Sequence, residues 1–195
     1  MKPIFALTIL AALAAPLTLS ACGKAVSATG FIPRNVRMAK EDDLTQRWRS
    51  AKASAASFGK VVVLPVETPE MGAYGDLDAE QLATCRSVLA TELTKAFASP
   101  PGTGDRTLYI HAAITAIKPN KPLLNVAPQT QLLKRGYGYA ACEIYATDGE
   151  MGPIVAAFMQ TQDTARFGTE KLSSTGTAEK AAGAWATQFR ELVGK

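Results

Sequence analysis

Histidine occurs once in the 195 residues, at His111, so a metal centre built on several imidazoles cannot form and any triad has one imidazole to draw on. Cysteine occurs three times, at Cys22, Cys85 and Cys142, which is too few for a four-thiolate zinc site, and no Cys-x-x-Cys redox pair is present. Charge of one sign is also scarce: 21 basic against 17 acidic side chains give a formal +4. That excess selects no polyanionic partner, and no nucleic acid is expected. Gly102-Thr103-Gly104 is followed by no Gly-Lys-Ser/Thr, so it reads as a turn and not as a phosphate cradle. There is no internal repeat and no long low-complexity run. These gaps leave no constellation for catalysis and no cofactor to expect, and the chain does not read as an enzyme.

What is present begins at the amino terminus. Lys2 precedes an uncharged apolar run from Ile4 to Ala15, and Pro16, Thr18 and Ser20 interrupt it. The run stops short of the about 20 residues that a membrane-spanning helix needs, so it reads as a signal peptide over residues 1–21. Leu19-Ser20-Ala21-Cys22 resembles the lipobox of bacterial lipoproteins. That resemblance implies cleavage before Cys22, diacylation of its thiol and commonly acylation of its new amine. Two acyl chains make a stable anchor, so Cys22 would hold the protein to a membrane. Gly23 stands where an aspartate would resemble an inner-membrane retention signal, which points to the periplasmic face of the outer membrane. Residues 22–30 read as a lipidated tether and residues 31–195 as a single periplasmic domain, a length sufficient to bury a core.

With Cys22 assigned to lipid, Cys85 and Cys142 remain in a compartment where disulfides persist. A bond between them would be worth about 4 kcal/mol in the chain-entropy model. Both cysteines also fall on apolar faces, so two buried free thiols are the competing reading, and sequence cannot supply the Cα separation a bond requires.

Along the domain, Leu44, Trp48, Ala51 and Ala55 recur at helical spacing and predict a helix over residues 41–58, with Glu41, Asp42 and Asp43 at its start. Lys60 to Glu67, KVVVLPVE, predicts a buried strand. Asp78 followed by Gln81 has capping-box spacing, and Leu82, Cys85, Leu89, Leu93 and Ala96 form the stripe of the helix it starts. Residues 107–117 alternate, with Leu108, Ile110, Ala112, Ile114 and Ala116 on one face and Tyr109, His111 and Thr115 on the other. Lys118 to Gly136 reads as a long excursion. Two further strands, 137–147 and 154–164, bracket Asp148-Gly149, a preferred hairpin turn. After a turn-rich stretch from Gly168 to Gly176, Ala181, Trp185, Phe189 and Leu192 share one face of a last helix. The expected fold is α+β: about four strands in a mixed sheet covered by helices, a two-layer sandwich with a parallel crossover through the Asp78 helix.

Gly30-Phe31-Ile32 after the tether, the VVVLPVE strand, TLYIHAAITAIKPNKPLLN and ACEIYATDGEMGPIVAAF together resemble a family of bacterial lipoproteins catalogued as a domain of unknown function, the 3313 type. The resemblance spans most of the domain and implies an exported α+β protein; it carries no catalytic roles. Arg34-Asn35-Val36 stands where that pattern has an aspartate-tyrosine-serine type segment.

Three functional readings follow. The first is a non-enzymatic, lipid-anchored binding or scaffolding module that meets a protein partner in the envelope. The second is a carrier of a small apolar or envelope ligand, held between the sheet and the helix faces of Leu89, Leu93, Trp185 and Phe189. The third, an envelope hydrolase, would need His111 or a carboxylate such as Glu143, Glu67 or Glu70, and no partner in a defined geometric role accompanies any of them. Arg34, Arg37 and Lys40, joined farther on by Arg47, Arg49 and Lys52, form a basic run close behind the tether, placed to touch anionic head groups. Glu41 to Asp43 interrupt that run, which equally suits a solvated surface. Lys134-Arg135 is a smaller basic pair.

Overall fold

A computed structural model describes residues 28–118, 139–163 and 176–195. The signal segment, Cys22 and most of the tether lie outside the described residues. So do Lys134-Arg135 with nearly all of the 118–136 excursion, and most of the turn-rich stretch before the last helix.

In chain order the elements are β1 (Ala39–Lys40), β2 (Thr45–Arg49), a 3-10 turn (Ala55–Ser57), β3 (Phe58–Val63), α1 (Ala79–Ala96), β4 (Arg106–Lys118), β5 (Tyr139–Asp148), β6 (Ile154–Asp163) and α2 (Gly176–Gly194). The strands form one six-stranded mixed sheet in the order β1-β2-β6-β5-β4-β3. Among the described strands only β3 and β4 pair in parallel, and α1 is the crossover between them. Both helices pack on one face of the sheet and on each other.

The expected four strands are therefore corrected to six, and the predicted 41–58 helix is absent. Its residues supply β2, which pairs antiparallel with β6 from Thr45↔Gln160 to Arg49↔Ala156, and the short strand β1 beside it. The reason lies in side-chain chemistry. Thr45 and Arg47 face the helix layer, yet they are polar, so Thr-Gln-Arg-Trp-Arg shows no apolar alternation. They meet polar partners instead. Gln160 Nε2 donates to Thr45 Oγ1 at 2.9 Å, Gln188 Nε2 donates to Gln160 Oε1 at 3.2 Å, and Arg47 Nη2 donates to Gln188 Oε1 at 2.6 Å. A buried amide network of this kind is stable only when its members find partners.

The Asp78 helix forms as its sequence predicts. Asp78 Oδ1 accepts from Gln81 N at 2.8 Å, and Gln81 Oε1 accepts from Asp78 N at 3.1 Å, completing the capping box. Replacing Asp78 by alanine is expected to cost about 1 kcal/mol, read as a fall of about 2–4 °C in the thermal midpoint. Cys85, Leu89 and Leu93 of α1 are buried against Ala181, Trp185 and Phe189 of α2 and against Ile110, Ile144 and Phe158 of the sheet.

The Asp148-Gly149 turn closes the β5–β6 hairpin with Gly149 at φ +84°, a conformation glycine adopts without steric penalty. On β4 the alternation holds from Leu108 to Ile114, and a bulge between Ile114 and Ala116 then moves Ile117, not Ala116, onto the core face. Ala73 stitches the bulge from outside, donating to Thr115 O at 3.0 Å and accepting from Ile117 N at 2.8 Å. Gly102 and Gly104 run against the backbone of residues 55–57, where a Cβ on either would collide with main-chain atoms. Close packing, and no phosphate cradle, is the work of that glycine pair.

Candidate functional site

The face of the sheet away from the helices carries the polar chemistry. Glu143 points there from the middle of β5 and is only 1% exposed. A lone buried carboxylate would be costly, and here both oxygens are occupied. Oε1 accepts from Thr29 N at 2.6 Å and Thr29 Oγ1 at 2.7 Å, and Oε2 accepts from Ile32 N at 2.9 Å. The chain just after the tether is thereby strapped across the sheet, and Ile32 is carried onto Ala157 and Met159 to form a second, smaller apolar cluster. The strap is what buries Glu143.

His111 lies on β4, next to the β3 edge strand. Its ring stacks on Tyr145 with centroids 4.3 Å apart and planes at 6°, and its Nε2 is 3.3 Å from Thr147 Oγ1. Phe31 of the strap packs at a tilt against Tyr145, with ring centroids 5.4 Å apart. Burial pulls the His111 pKa below its ordinary 6.5, against a weaker upward pull from the nearby carboxylate of Glu67. Below about pH 6.5 the unfolded chain consequently binds protons that the folded chain resists, so stability is full above that value and falls as pH drops toward the folded pKa. His111→Gln is expected to flatten this part of the stability–pH curve, measured by urea midpoints between pH 5 and 7.5. Tyr74, whose phenol is pushed up to about 12 by burial, sits 2.7 Å from Pro69 O and 3.0 Å from Ile114 O and fastens the 64–74 loop beside β4.

Between the strap and the β2–β6 end of the same face is a cavity of about 410 Å³ lined by Thr29, Ile32, Arg34, Met38, Met71 and Met159, among others. Leu89, Leu93 and Phe189 are fully buried and Trp185 nearly so, and a gap beside Phe58, Ala156 and Val193 holds only about 10 Å³. The ligand space expected between sheet and helices is thus filled by the side chains named for it. A depression of about 590 Å³ at the chain's carboxyl end is walled by Ala55, Ala56, Gly102 and Lys195, and Arg49 beside it is held by Ala53 O.

The other sequence candidates separate in space. Cys85 and Cys142 are both buried thiols and form no disulfide, which is one of the two states left open for them. Burial drives the Cys142 thiol well above its ordinary range, so it stays protonated at neutral pH. The basic run divides: Arg34 and Arg37 are exposed on the strap, Lys40 pairs with Asp43 at 2.6 Å, and Arg47 pairs with Glu41 at 2.9 Å. Glu67 and Glu70 are exposed; Glu67 is bridged to Ala113, the cross-strand partner of Glu143, and its carboxylate is near His111 and Tyr145. Among the described residues no group of three or more His, Cys, Asp or Glu side chains could hold a metal ion, and no helix is long and apolar enough to cross a membrane. The strap itself was invisible in the sequence, since GFIPRNVRM has neither helical nor strand periodicity; a glycine-bounded apolar pair, Phe31-Ile32, was its only signal.

A family model described as protein of unknown function (DUF3313) matches residues 33–189. Among solved structures, the chain is similar to the PelC dodecamer from Paraburkholderia phytofirmans, at 14% identity and TM-score 0.42 over 75% of this chain and 95% of that one. It is also similar to protein XCC0632 from Xanthomonas campestris, at 7% identity and TM-score 0.41 over 72% and 85%. A third is the hypothetical protein CT253 from Chlamydia trachomatis, at 12% identity and TM-score 0.37 over 69% and 98%. No curated protein matches the sequence.

Proposed function

The chain belongs to the DUF3313 family of proteins of unknown function, and from that premise we propose that it is a lipid-anchored module of the bacterial envelope, held by acylated Cys22 at the periplasmic face of the outer membrane. Its role there is to bind or position a protein partner, without catalysis of its own. The observation that carries the reading is the continuity of anchor and strap. Leu19-Ser20-Ala21-Cys22 ends the leader, and the chain is already clamped to the domain at Thr29 by Glu143. The span from Cys22 to Thr29 reaches at most about 25 Å, shorter than a tether that runs free to Gly30, so the domain stays against the bilayer. Arg34 and Arg37, exposed immediately beyond the clamp, are placed to meet anionic head groups, each worth up to about 1 kcal/mol near a charged leaflet. Lys40, paired with Asp43, contributes less.

The hydrolase reading finds less support. Glu143 spends both oxygens on the strap, and His111 is taken up by stacking on Tyr145 and by the Thr147 hydroxyl 3.3 Å from its Nε2.

The test is crosslinking in intact cells followed by mass spectrometry, with wild type and Cys22→Ser compared in membrane fractions. The expected result is a discrete envelope protein captured by wild type and lost with Cys22→Ser. A membrane-bound wild type that captures no protein, under conditions where a known envelope complex is captured, contradicts the partner-binding role.

A further inference from the structure

We propose that the cavity between the strap and the β2–β6 end of the sheet is a binding site for a single acyl chain bearing an anionic head, a free fatty acid in the simplest case. The volume, about 410 Å³, lies in the range of small-ligand sites and at its lower end, which suits one chain and not a two-chain lipid. The walls are Ile32, Val36, Met38, Met71 and Met159, with no aromatic ring among the lining residues. Branched aliphatic and thioether side chains conform to a flexible hydrocarbon, whereas a planar ligand would call for stacking surfaces. Arg34 is the only charged lining residue and is exposed at the rim, so the charge complement of the site is an anion.

Two further features set this space apart from an ordinary surface hollow. Its floor is built: Ile32 and Met159 are 6% and 3% exposed, and the Glu143 clamp fixes the strap that forms one wall, so the site exists before any ligand arrives. Its mouth is uncovered: Met71, which also lines the cavity, is 82% exposed, leaving a large apolar side chain in water where a hydrocarbon chain would cover it. The site is on the opposite face of the sheet from the helices and uses none of Leu89, Leu93, Trp185 or Phe189. It does not depend on acylation of Cys22.

The experiment uses the full chain in phosphatidylcholine vesicles, photolysed with a diazirine-bearing palmitate and mapped by peptide mass spectrometry. Saturable label on peptides containing Met38, Met71 or Met159 is expected. Arg34→Glu and Met71→Glu, both at exposed positions, should each lower that label about tenfold with an unchanged thermal midpoint, and dodecanoate should compete at least tenfold better than dodecylamine. Unsaturable label spread along the chain, label unaffected by either variant, or equal competition by the amine overturns the proposal. Running Cys22→Ser in parallel separates it from the anchoring reading, since the label is expected to persist in that variant even where membrane attachment is lost.

Discussion

Glu143→Ala should free the strap and lower stability by about 3 kcal/mol, because the Thr29 and Ile32 amides lose a charged acceptor in a site largely closed to water. For a chain of this size that is a fall of about 6–12 °C in the thermal midpoint. A second signature separates strap release from general loosening. Arg34 and Arg37 lie on the strap, and in the variant trypsin should cut after them well before it reaches the helices. Glu143→Gln should be milder, since its amide oxygen still accepts while its NH2 group opposes a donor. A wild-type midpoint together with a wild-type trypsin pattern in Glu143→Ala would show that the clamp does not hold the strap.

Phe189→Ala is expected to have the largest effect on folding. The ring is fully buried between Phe97, at 6.1 Å, and Phe158, at 6.5 Å, and so joins α2 both to the end of α1 and to the centre of the sheet. Truncation of such a ring costs about 3–5 kcal/mol through lost burial and the cavity left behind. Against a total stability of about 5–15 kcal/mol, that is enough to lower the midpoint by about 10 °C. A shift under 2 °C would mean that the helix layer is not packed as described. The same residue was named in the sequence as part of a ligand space. A ligand space there would tolerate truncation, whereas a filled core does not.

The helix layer was legible because its code is local. Asp78 and Gln81 mark the start of α1, a stripe of apolar residues marks its buried side, and Ala181, Trp185, Phe189 and Leu192 mark the same on α2. The central strands were legible for a similar reason, down to the Asp148-Gly149 turn. β2 was not, because the side of it that faces the helices is satisfied by hydrogen bonds to Gln160 and Gln188, residues more than a hundred positions away. A hydrophobic period cannot report a polar seam. The alanine-rich spacing around Trp48 imitated a helix instead, and the missing strands β1 and β2 account for the step from four strands to six.

The candidate site fared likewise. The alternation of β4 correctly set His111 on the face away from Leu108 and Ile110, but what covers Glu143 comes from the strap, at residues 29–32, more than a hundred positions away in sequence. No local pattern shows that a glutamate in mid-strand is an acceptor for two backbone amides at the far end of the chain. The bulge on β4 is comparable: its extra residue is paired by Ala73, from a loop whose Gly and Pro content marks only irregularity. Long-range hydrogen bonds of this kind define the open face, and they are the part of the structure that sequence periodicity does not encode.

The central claim is that the strap begins a short lead from a lipidated cysteine. It is tested most directly by the mass of the amino-terminal peptide of the protein purified from native membranes with detergent. The account predicts a chain that starts at Cys22 and carries a diacylglyceryl group on its thiol, with an acylated amine where that modification is completed. A chain that starts elsewhere, or that starts at Cys22 with an unmodified thiol, would contradict it.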